Sequence, residues 1–181
     1  RHDLLRTALY DDMGTAVRQS LHLEAARVLA ADGASPLQIA HHILRGPTST
    51  DQAAIDTLLA AAGHAIHFGT KVELLTAALA RLPPDDSRSV DTATKIVSIL
   101  GQTGRVVDAE AMVARRRRTL TPEDDARMSA ALAAAYAQQA DPAGVLRHCN
   151  AIPDKTLLPA LERRALLTNE GFGLFLALRL D

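Results

Sequence analysis

Aromatic residues are scarce in this sequence: they make up 3% of the 181 residues, and tryptophan is absent. Hydrophobic residues nevertheless account for 48% of the chain. We therefore expect a core built from Ala, Leu, Val and Ile, whose small side chains let helices approach one another closely. A chain of this length can bury such a core in one large domain or in two small ones.

The chain has a single cysteine, Cys149, which excludes an internal disulfide and fits a reducing, cytoplasmic location. No apolar run approaches the roughly 18 residues of a membrane-spanning helix, so we expect no membrane partner. The net charge of −1 gives no strong general field toward nucleic acid or an anionic membrane. The chain begins at Arg1 without a signal-peptide pattern, and we interpret it as an internal piece of a longer protein.

Residues 90–122 give the clearest structural signal, a helical hairpin. Apolar residues recur with the 3.6-residue period on one side of each helix: Val90, Ala93, Val97 and Leu100 on the first, then Val106, Ala109 and Val113, with Arg117, on the second. Gly104 supplies the backbone freedom needed where the first helix ends. Such a hairpin cannot bury both of its faces alone, so it needs neighbours of its own kind.

The same periodicity, interrupted by glycine and proline, predicts helices along the whole chain. Ser35, Thr121 and Asp141 are predicted N-caps, because each precedes a proline at the first helical position. Besides the hairpin and a short helix after Asp141, the predicted helices span residues 2–13, 15–32, 36–45, 50–68, 70–82, 122–139, 154–169 and 172–180. The expected inward stripes are Val17, Leu21, Ala25, Val28 and Leu29 in helix 15–32, and Ile55, Leu58, Leu59, Ala62 and Ile66 in helix 50–68.

The predicted turns recur at a near-constant interval. Those within helix pairs lie at Gly33, Gly69, Gly104, Ala140–Asp141 and Gly171, and those between pairs at Pro47, Pro83–Pro84, Thr121–Pro122 and Pro153. Successive turns of each series are mostly 31 to 38 residues apart, the length of a tetratricopeptide-like repeat. We therefore predict an all-α fold: a right-handed solenoid of antiparallel helix pairs, tetratricopeptide-like and irregular.

The first 45 residues carry a family resemblance. It rests on the run RHDLLRTALY at residues 1–10, on the run AHHIL at residues 40–44, and between them on Arg18, Leu21, His22, Ala25, Ala26, Leu29, Gly33 and Ala34. This stretch resembles the large ATP-binding LuxR-type, MalT-like transcription regulators of bacteria. In that family a signal-transduction ATPase module precedes a helical-repeat sensor region and a DNA-binding helix-turn-helix.

The resemblance implies a division of this chain. Residues 1–46 would be the C-terminal helical or winged-helix tail of the ATPase module, and residues 47–181 a truncated array of tetratricopeptide-like repeats. His2 would sense the nucleotide, ATP or ADP, in the parent protein; local packing at a helix N-terminus is the alternative. These residues contain neither a G-x-x-x-x-G-K-[ST] loop nor a recognisable helix-turn-helix. We therefore expect no cofactor, no enzymatic activity and no direct DNA binding in this piece.

Two pairs of polar residues are candidates for contact with a partner. His64 and His67 lie three apart on a predicted helix, but no Cys or carboxylate is spaced to complete a metal site, so we interpret them as solvated or groove-lining. Arg115 and Arg118 belong to a run of four arginines in the last turns of a helix, where cations are favoured. Pairing with Glu123, Asp124 or Asp125 is expected there, and contact with an acidic partner or nucleic acid is the alternative.

Two further candidates fail on helical geometry. Adjacent helical residues diverge by about 100°, so His41 and His42 cannot both bind one metal ion. For the same reason His148 and Cys149 do not form a catalytic dyad, and we predict no catalytic residue. A metal-dependent hydrolase would require a ligand set that the sequence does not show; a stoichiometric zinc content would revive that hypothesis.

The last predicted helix, residues 172–180, is an apolar tail. Its apolar residues are Phe172, Leu174, Phe175, Leu176, Leu178 and Leu180. We expect this patch to be exposed and to self-associate, which light scattering at high protein concentration would test. The expected function is that of a sensor and protein-interaction region, binding a protein or small-molecule effector and controlling the neighbouring ATPase. The alternative is a free-standing tetratricopeptide adaptor that binds a peptide or protein.

Overall fold

A computed structural model describes residues 2–83 and 85–180 of the chain, with side chains over 7–83 and 85–178. Over these residues the protein is all-helical and contains no strand, so the predicted all-α class is confirmed. The helices are α1 (His2–Asp12), α2 (Thr15–Ala31), α3 (Pro36–Arg45), α4 (Gln52–His64), α5 (Phe68–Leu79), α6 (Arg88–Gln102), α7 (Val106–Arg116), α8 (Pro122–Gln138), α9 (Pro142–Asn150) and α10 (Ala160–Leu180). Short 3₁₀ turns follow α7 at Arg117–Thr119 and precede α10 at Lys155–Leu157. Nowhere in this described part is a helix both long enough and apolar enough to cross a membrane.

The three predicted proline-linked helix starts are confirmed. The side chains of Ser35, Thr121 and Asp141 each accept a hydrogen bond from a backbone N–H in the first turn of the helix that follows. Ser35 and Gln38 form a complete capping box at α3. These bonds satisfy donors that have no partner within the helix, and a proline at the first helical position lacks such a donor.

The chain divides into two compact units, Arg1–Leu82 and Pro83–Asp181. In the first unit, α2 packs against α3, α3 against α4, and α4 against α5. Its largest fully buried side chains are Ile55, Leu58 and Leu74. The predicted boundary after residue 46 falls between α3 and α4, which pack against each other. The assignment of residues 1–46 and 47–181 to two family domains stays a prediction.

In the second unit, α8 is the central helix. It packs against α6, α7, α9 and α10, while α6 also packs against α7 and α9 against α10. The core of the α8, α9 and α10 layer contains Ala126, Ala133, Tyr136, Val145, Cys149, Ile152, Leu158 and Leu166, all nearly inaccessible to solvent. Ala, Leu, Val and Ile predominate in this core, as the scarcity of aromatic residues predicts.

The hairpin of residues 90–122 forms as predicted. Val90, Ala93, Val97 and Leu100 are buried on α6, and Ala109 and Val113 on α7. Gly104 has a φ of +73°, in the left-handed region where glycine is favoured. The N–H of Arg105 donates to the carbonyl of Leu100 at 2.8 Å, and this bond closes the end of α6.

The break predicted at Gly69 lies earlier, between Ala65 and His67. Ala65 and His67 have extended backbone angles that any residue adopts, so the chain reverses without glycine. Gly69 lies inside α5 instead. Ile66, predicted to point inward, is 88% exposed because it lies in this turn. The predicted helix 50–68 is therefore wrong at its C-terminal end.

The break predicted at Gly171 is also absent, since α10 is one continuous helix. Glycine is favoured by close packing two residues further along: a Cβ on Gly173 would lie 3.0 Å from Val145 Cγ1 on α9. Exposure of the apolar tail is confirmed for four of its five described side chains. Phe172, Leu174, Phe175 and Leu178 are exposed, whereas Leu176 is half-buried and the side chain of Leu180 lies outside the described residues. Self-association of this tail stays a prediction.

The inward stripe predicted for α2 is wrong at three of its five positions, whereas Ala25 and Leu29 are half-buried. Val17, Leu21 and Val28 are each more than half exposed, and Ala26 is the buried residue of this helix. The side of α2 that faces α3 contains the buried Ala26, and His22 bonds to His42 there. Apolar periodicity marks a side of a helix suited to burial, but which side is covered depends on the neighbouring helix.

Candidate functional site

The second unit contains a groove between α6, α8 and α10, which we call the α6–α8–α10 groove. It encloses a cavity of about 370 Å³. The lining residues are Asp91, Thr94 and Lys95 from α6, Arg127, Ala130, Ala131 and Ala134 from α8, and Glu162, Ala165, Leu166 and Asn169 from α10. On each helix they follow the spacing i, i+3, i+4, continued to i+7 on α8 and α10, and therefore occupy one face.

The groove has a floor of small side chains and polar walls. Ala130, Ala131 and Ala134 form the floor on α8, and their methyl groups leave the space above them open. Lys95 on α6 is exposed and Asn169 on α10 is half-buried. Apolar pockets with a few placed polar groups are typical of sites that bind ligands, because the polar groups fix the ligand's orientation.

Arg127 joins the three helices of the groove. Its Nη2 atom lies 2.8 Å from Asp91 Oδ1 on α6 and 3.1 Å from Glu162 Oε1 on α10. Burial lowers the pKa of Arg127, but the hydrogen bonds to Asp91 and Glu162 outweigh this, and the pKa is raised overall. The arginine therefore remains a cation whose charge is balanced by two carboxylates within the groove.

The predicted partner-contact residues lie elsewhere. His64 is the last residue of α4 and His67 the N-cap residue of α5, so they do not share one helix as predicted; both are exposed. Arg115 and Arg118 are exposed near the end of α7 and in the following 3₁₀ turn. None of the four lines the α6–α8–α10 groove. Their contact with a partner stays a prediction.

The other two arginines of the run are structural. Arg117 donates from Nε to Asp125 Oδ1 at 2.6 Å and from Nη2 to Ser129 Oγ at 3.0 Å. This confirms the expected pairing with an acid at the start of α8. Arg116 donates to the buried Ser89 Oγ at 2.6 Å. The two side chains therefore connect the end of α7 to α8 and α6.

A polar cluster between α7 and α9 was missed by the sequence reasoning. Glu110 Oε1 accepts hydrogen bonds from Arg147 Nη2 at 2.7 Å and from His148 Nε2 at 2.8 Å. The His148 ring stacks on Tyr136, with ring centroids 5.4 Å apart. Burial raises the pKa of Glu110, but the bonds from His148 and Tyr136 outweigh it and the pKa is lowered. The only sequence signal was the position of Glu110 beside the apolar stripe, and its partners lie 37 and 38 residues away.

Neither Cys149 nor the possible metal ligands form a reactive site among the described residues. Cys149 is fully buried, and burial raises the pKa of its thiol to about 11, so it is protonated at neutral pH. Within the described residues, no group of three or more His, Cys, Asp or Glu side chains is arranged to hold a metal ion. The side chain of His2, the predicted nucleotide sensor, lies outside the described residues.

The first unit contains a second polar cluster, on α1, α2 and α3. Tyr10 Oη lies 2.7 Å from His22 Nε2, and His22 Nδ1 lies 2.9 Å from His42 Nδ1. Arg45 donates from Nη1 to His41 Nδ1 at 2.7 Å. We call Tyr10, His22, His41, His42 and Arg45 the histidine cluster. The contact between the two Nδ1 atoms is a hydrogen bond only while one of them is unprotonated, because two N–H donors cannot bond to each other.

Acidification is expected to destabilise the folded chain through this cluster. Burial, with the charges of neighbouring His42 and Arg45, lowers the pKa values of His22 and His41 below the ordinary 6.5. The unfolded chain therefore takes up protons first, and stability is lost as the pH falls below 6.5. Urea unfolding followed by circular dichroism should give a lower midpoint at about pH 5.5 than at about pH 8.

His148 acts in the same direction, because burial lowers its pKa too. The contribution of the cluster is therefore measured as the difference between variants in the pH dependence of the urea midpoint. His22→Gln should flatten the pH dependence of the urea midpoint relative to the unchanged chain. His64→Gln, at an exposed histidine of the same unit, serves as the control and should leave it unchanged. Equal pH dependence in all three proteins would rule out the contribution of the cluster.

The resemblance carried by residues 1–45 stays a prediction. No family model, curated protein or solved structure matches this chain.

Proposed function

We propose that this chain is the helical-repeat sensor and protein-interaction region of an ATP-dependent LuxR-type regulator, and that its effector or partner binds in the α6–α8–α10 groove. The observation that carries the proposal is a recurrence in the groove lining. Equivalent lining positions are 36 and then 35 residues apart: Asp91, Arg127 and Glu162; Thr94, Ala130 and Ala165; Lys95, Ala131 and Leu166. Such a period is expected when one face of successive repeats builds a continuous binding surface.

The packing of the second unit supports the repeat interpretation. Among the first helices of successive pairs, α8 packs against both α6 and α10, and α7 and α9 each pack against the next first helix. Glu110 on α7 bonds to Arg147 and His148 on α9, so the second helices are also connected. We interpret this unit as a short right-handed solenoid of antiparallel, tetratricopeptide-like pairs.

The groove suits binding by its shape and by its charge. Its alanine floor admits a side chain or a small effector, and Lys95 and Asn169 offer donors on opposite walls. Arg127 is already paired with two carboxylates, so it contributes little net charge to a ligand. A ligand that contacts both α6 and α10 would stabilise one packing of the repeats. In the parent protein, this would bias the neighbouring ATPase between its states.

Selection from a displayed random-peptide library tests the protein-interaction part of the proposal. Peptides enriched on the unchanged chain should bind at least about tenfold more weakly to Ala131→Arg, because the long cation fills the floor of the groove and approaches Arg127. Ala114→Arg, on an exposed position of α7, is the matched control and should bind normally. Failure to enrich any peptide, or equal binding by both variants, would contradict the assignment.

A free-standing tetratricopeptide adaptor is the second candidate, since the groove recurrence by itself fits either protein. The surrounding gene sequence distinguishes them. A phosphate loop upstream and a helix-turn-helix downstream are expected for the regulator. A start codon immediately before Arg1 would instead support the adaptor.

A further inference from the structure

Five side chains that carry hydrogen-bond donors converge on a cavity of about 280 Å³ in the first unit. They are Thr7 and Tyr10 from α1, His22 from α2, and His41 and Arg45 from α3. Among the described residues, no carboxylate lines this cavity. A second cation lies close by, because the Arg18 guanidinium is 5.5 Å from the centroid of the Tyr10 ring. The described part of the cavity wall is therefore rich in donors and positive in charge.

The hydrogen bonds of the histidine cluster leave donors available to a ligand. Arg45 donates a hydrogen bond to His41 Nδ1. The neutral imidazole of His41 therefore carries its proton on Nε2. Arg45 has five N–H groups, and its bonds to Nδ1 and to the carbonyl oxygen of His41 both come from Nη1. A planar guanidinium presents pairs of donors that match two oxygens of one anion.

Protonation of the histidine cluster is disfavoured by its surroundings. Burial, and after it the charges of neighbouring His and Arg side chains, lower the pKa values of His22 and His41 and so disfavour their imidazolium forms. The carboxylates of Asp11 and Asp12 on α1 and of Glu24 on α2 are not part of the lining, and Glu24 lies 3.5 Å from Arg27. A bound anion would remove this repulsion, so anion binding and proton uptake should favour each other.

We propose that this cavity binds a tetrahedral oxyanion of the phosphate class, held by Arg45 and His41, and by the hydroxyl of Tyr10 when His22 Nε2 donates to the Tyr10 oxygen and leaves its O–H for the anion. Three or four oxygens that only accept hydrogen bonds complement a wall of donors, and a negative charge complements Arg45 and Arg18. The free phosphate ion and the phosphate group of a larger ligand share this chemistry. The site lies in the first unit and does not depend on the function of the α6–α8–α10 groove.

Calorimetric titration of the whole chain with inorganic phosphate, at constant ionic strength set by chloride, tests the proposal. We expect saturable binding that Arg45→Gln weakens about tenfold, the loss expected for charge-assisted hydrogen bonds. Arg27→Gln, also in the first unit but outside the cavity, is the control and should bind as the unchanged chain does. Circular dichroism and the urea midpoint establish that Arg45→Gln is folded. Arg45→Lys, which keeps the charge, should retain part of the affinity.

Two further titrations identify the kind of phosphate ligand and test whether anion binding is coupled to proton uptake. Phenyl phosphate binding more tightly than inorganic phosphate would show that the site takes an esterified phosphate group; weaker binding would show that it takes the free ion. Sulfate remains a dianion across the range, and should bind several-fold more tightly at about pH 6 than at about pH 8. Absence of saturable binding, equal affinities of Arg45→Gln and Arg27→Gln, or sulfate affinity independent of pH would overturn the proposal.

Discussion

Replacement of Gly101 by alanine should destabilise the second unit by about 1–3 kcal/mol, the usual cost of overpacking. A Cβ at position 101 of α6 would lie 2.7 Å from Ala135 Cβ and 2.8 Å from Ala135 Cα on α8. The backbone of α8 cannot turn away as a flexible side chain could, so the two helices would have to separate. Alanine favours an isolated helix over glycine by about 1 kcal/mol, and the steric clash exceeds this gain.

Gly171→Ala provides the matched control for this effect. Gly171 also lies in a helix of the second unit, but nothing is within 4 Å of the Cβ that alanine would add. That variant should be as stable as the unchanged chain or more stable, by up to about 1 kcal/mol. Urea unfolding followed by circular dichroism compares the two. A Gly101→Ala protein with an unchanged or higher midpoint would show that α6 and α8 are not in this close contact.

The Gly101 variant also bears on function. Helix α6 forms one wall of the groove and α8 forms its floor. Separation of the two helices should therefore lower the affinity for any peptide selected on the unchanged chain. Gly171→Ala leaves that contact intact and should not. This comparison separates a groove assembled by close helix packing from a binding surface formed by one helix alone.

Leu166→Ala should have the largest effect of any single side-chain truncation considered, a loss of about 2–5 kcal/mol in the free energy of unfolding. Leu166 is 1% exposed and belongs to the core that α8, α9 and α10 share. Its removal leaves a cavity among Val145, Tyr136 and their neighbours. The loss of stability combines the lost transfer of the side chain from water with the cost of that cavity.

Leu167→Ala, one position along the same helix, is the control because its side chain is 51% exposed. It should change the free energy of unfolding by no more than about 0.5 kcal/mol. Equal destabilisation by the two variants would mean that α10 packs with a different face, and the assignment of Leu166 and Asn169 to the groove would then also be wrong.

Local features of this fold followed directly from the sequence. Serine, threonine or aspartate before a proline specified three helix starts, because the side chain satisfies a backbone donor within the same turn. Gly33 and Gly104 marked two helix ends correctly, and both have a positive φ. In each case the interacting groups are only a few residues apart, so one short stretch contains all the information.

Features that depend on neighbouring helices were less predictable. Gly69 and Gly171 lie inside helices, although glycine at these positions predicted the end of a helix. On α2 the apolar residues Val17, Leu21 and Val28 are exposed, and the side that carries Ala26 is covered by α3. A helical period shows that a side of the helix could be buried, but it contains no information about where the next helix lies.

The contacts within the groove were not predictable from local sequence either, although the repeat period gave one indication of the lining positions. Asp91, Arg127 and Glu162 meet across 35 and 36 residues of sequence, and no local pattern predicted that these three charges contact one another. The repeat period did contain a signal, because aligning the chain at that interval superimposes the groove-lining positions. The histidine cluster had no such signal, since His22 and His42 are brought together only by the packing of α2 on α3.

The sequence by itself determined that the chain is helical, where most helices begin, and that a hairpin of residues 90–122 forms around Gly104. These outcomes depend on hydrogen bonds and backbone conformations within a few residues. The tertiary structure alone decided which helix faces are buried, how Arg127 is paired, and which donors surround the cavity at Arg45. Those outcomes depend on side chains from separate helices, whose meeting is set by the close packing of the whole unit.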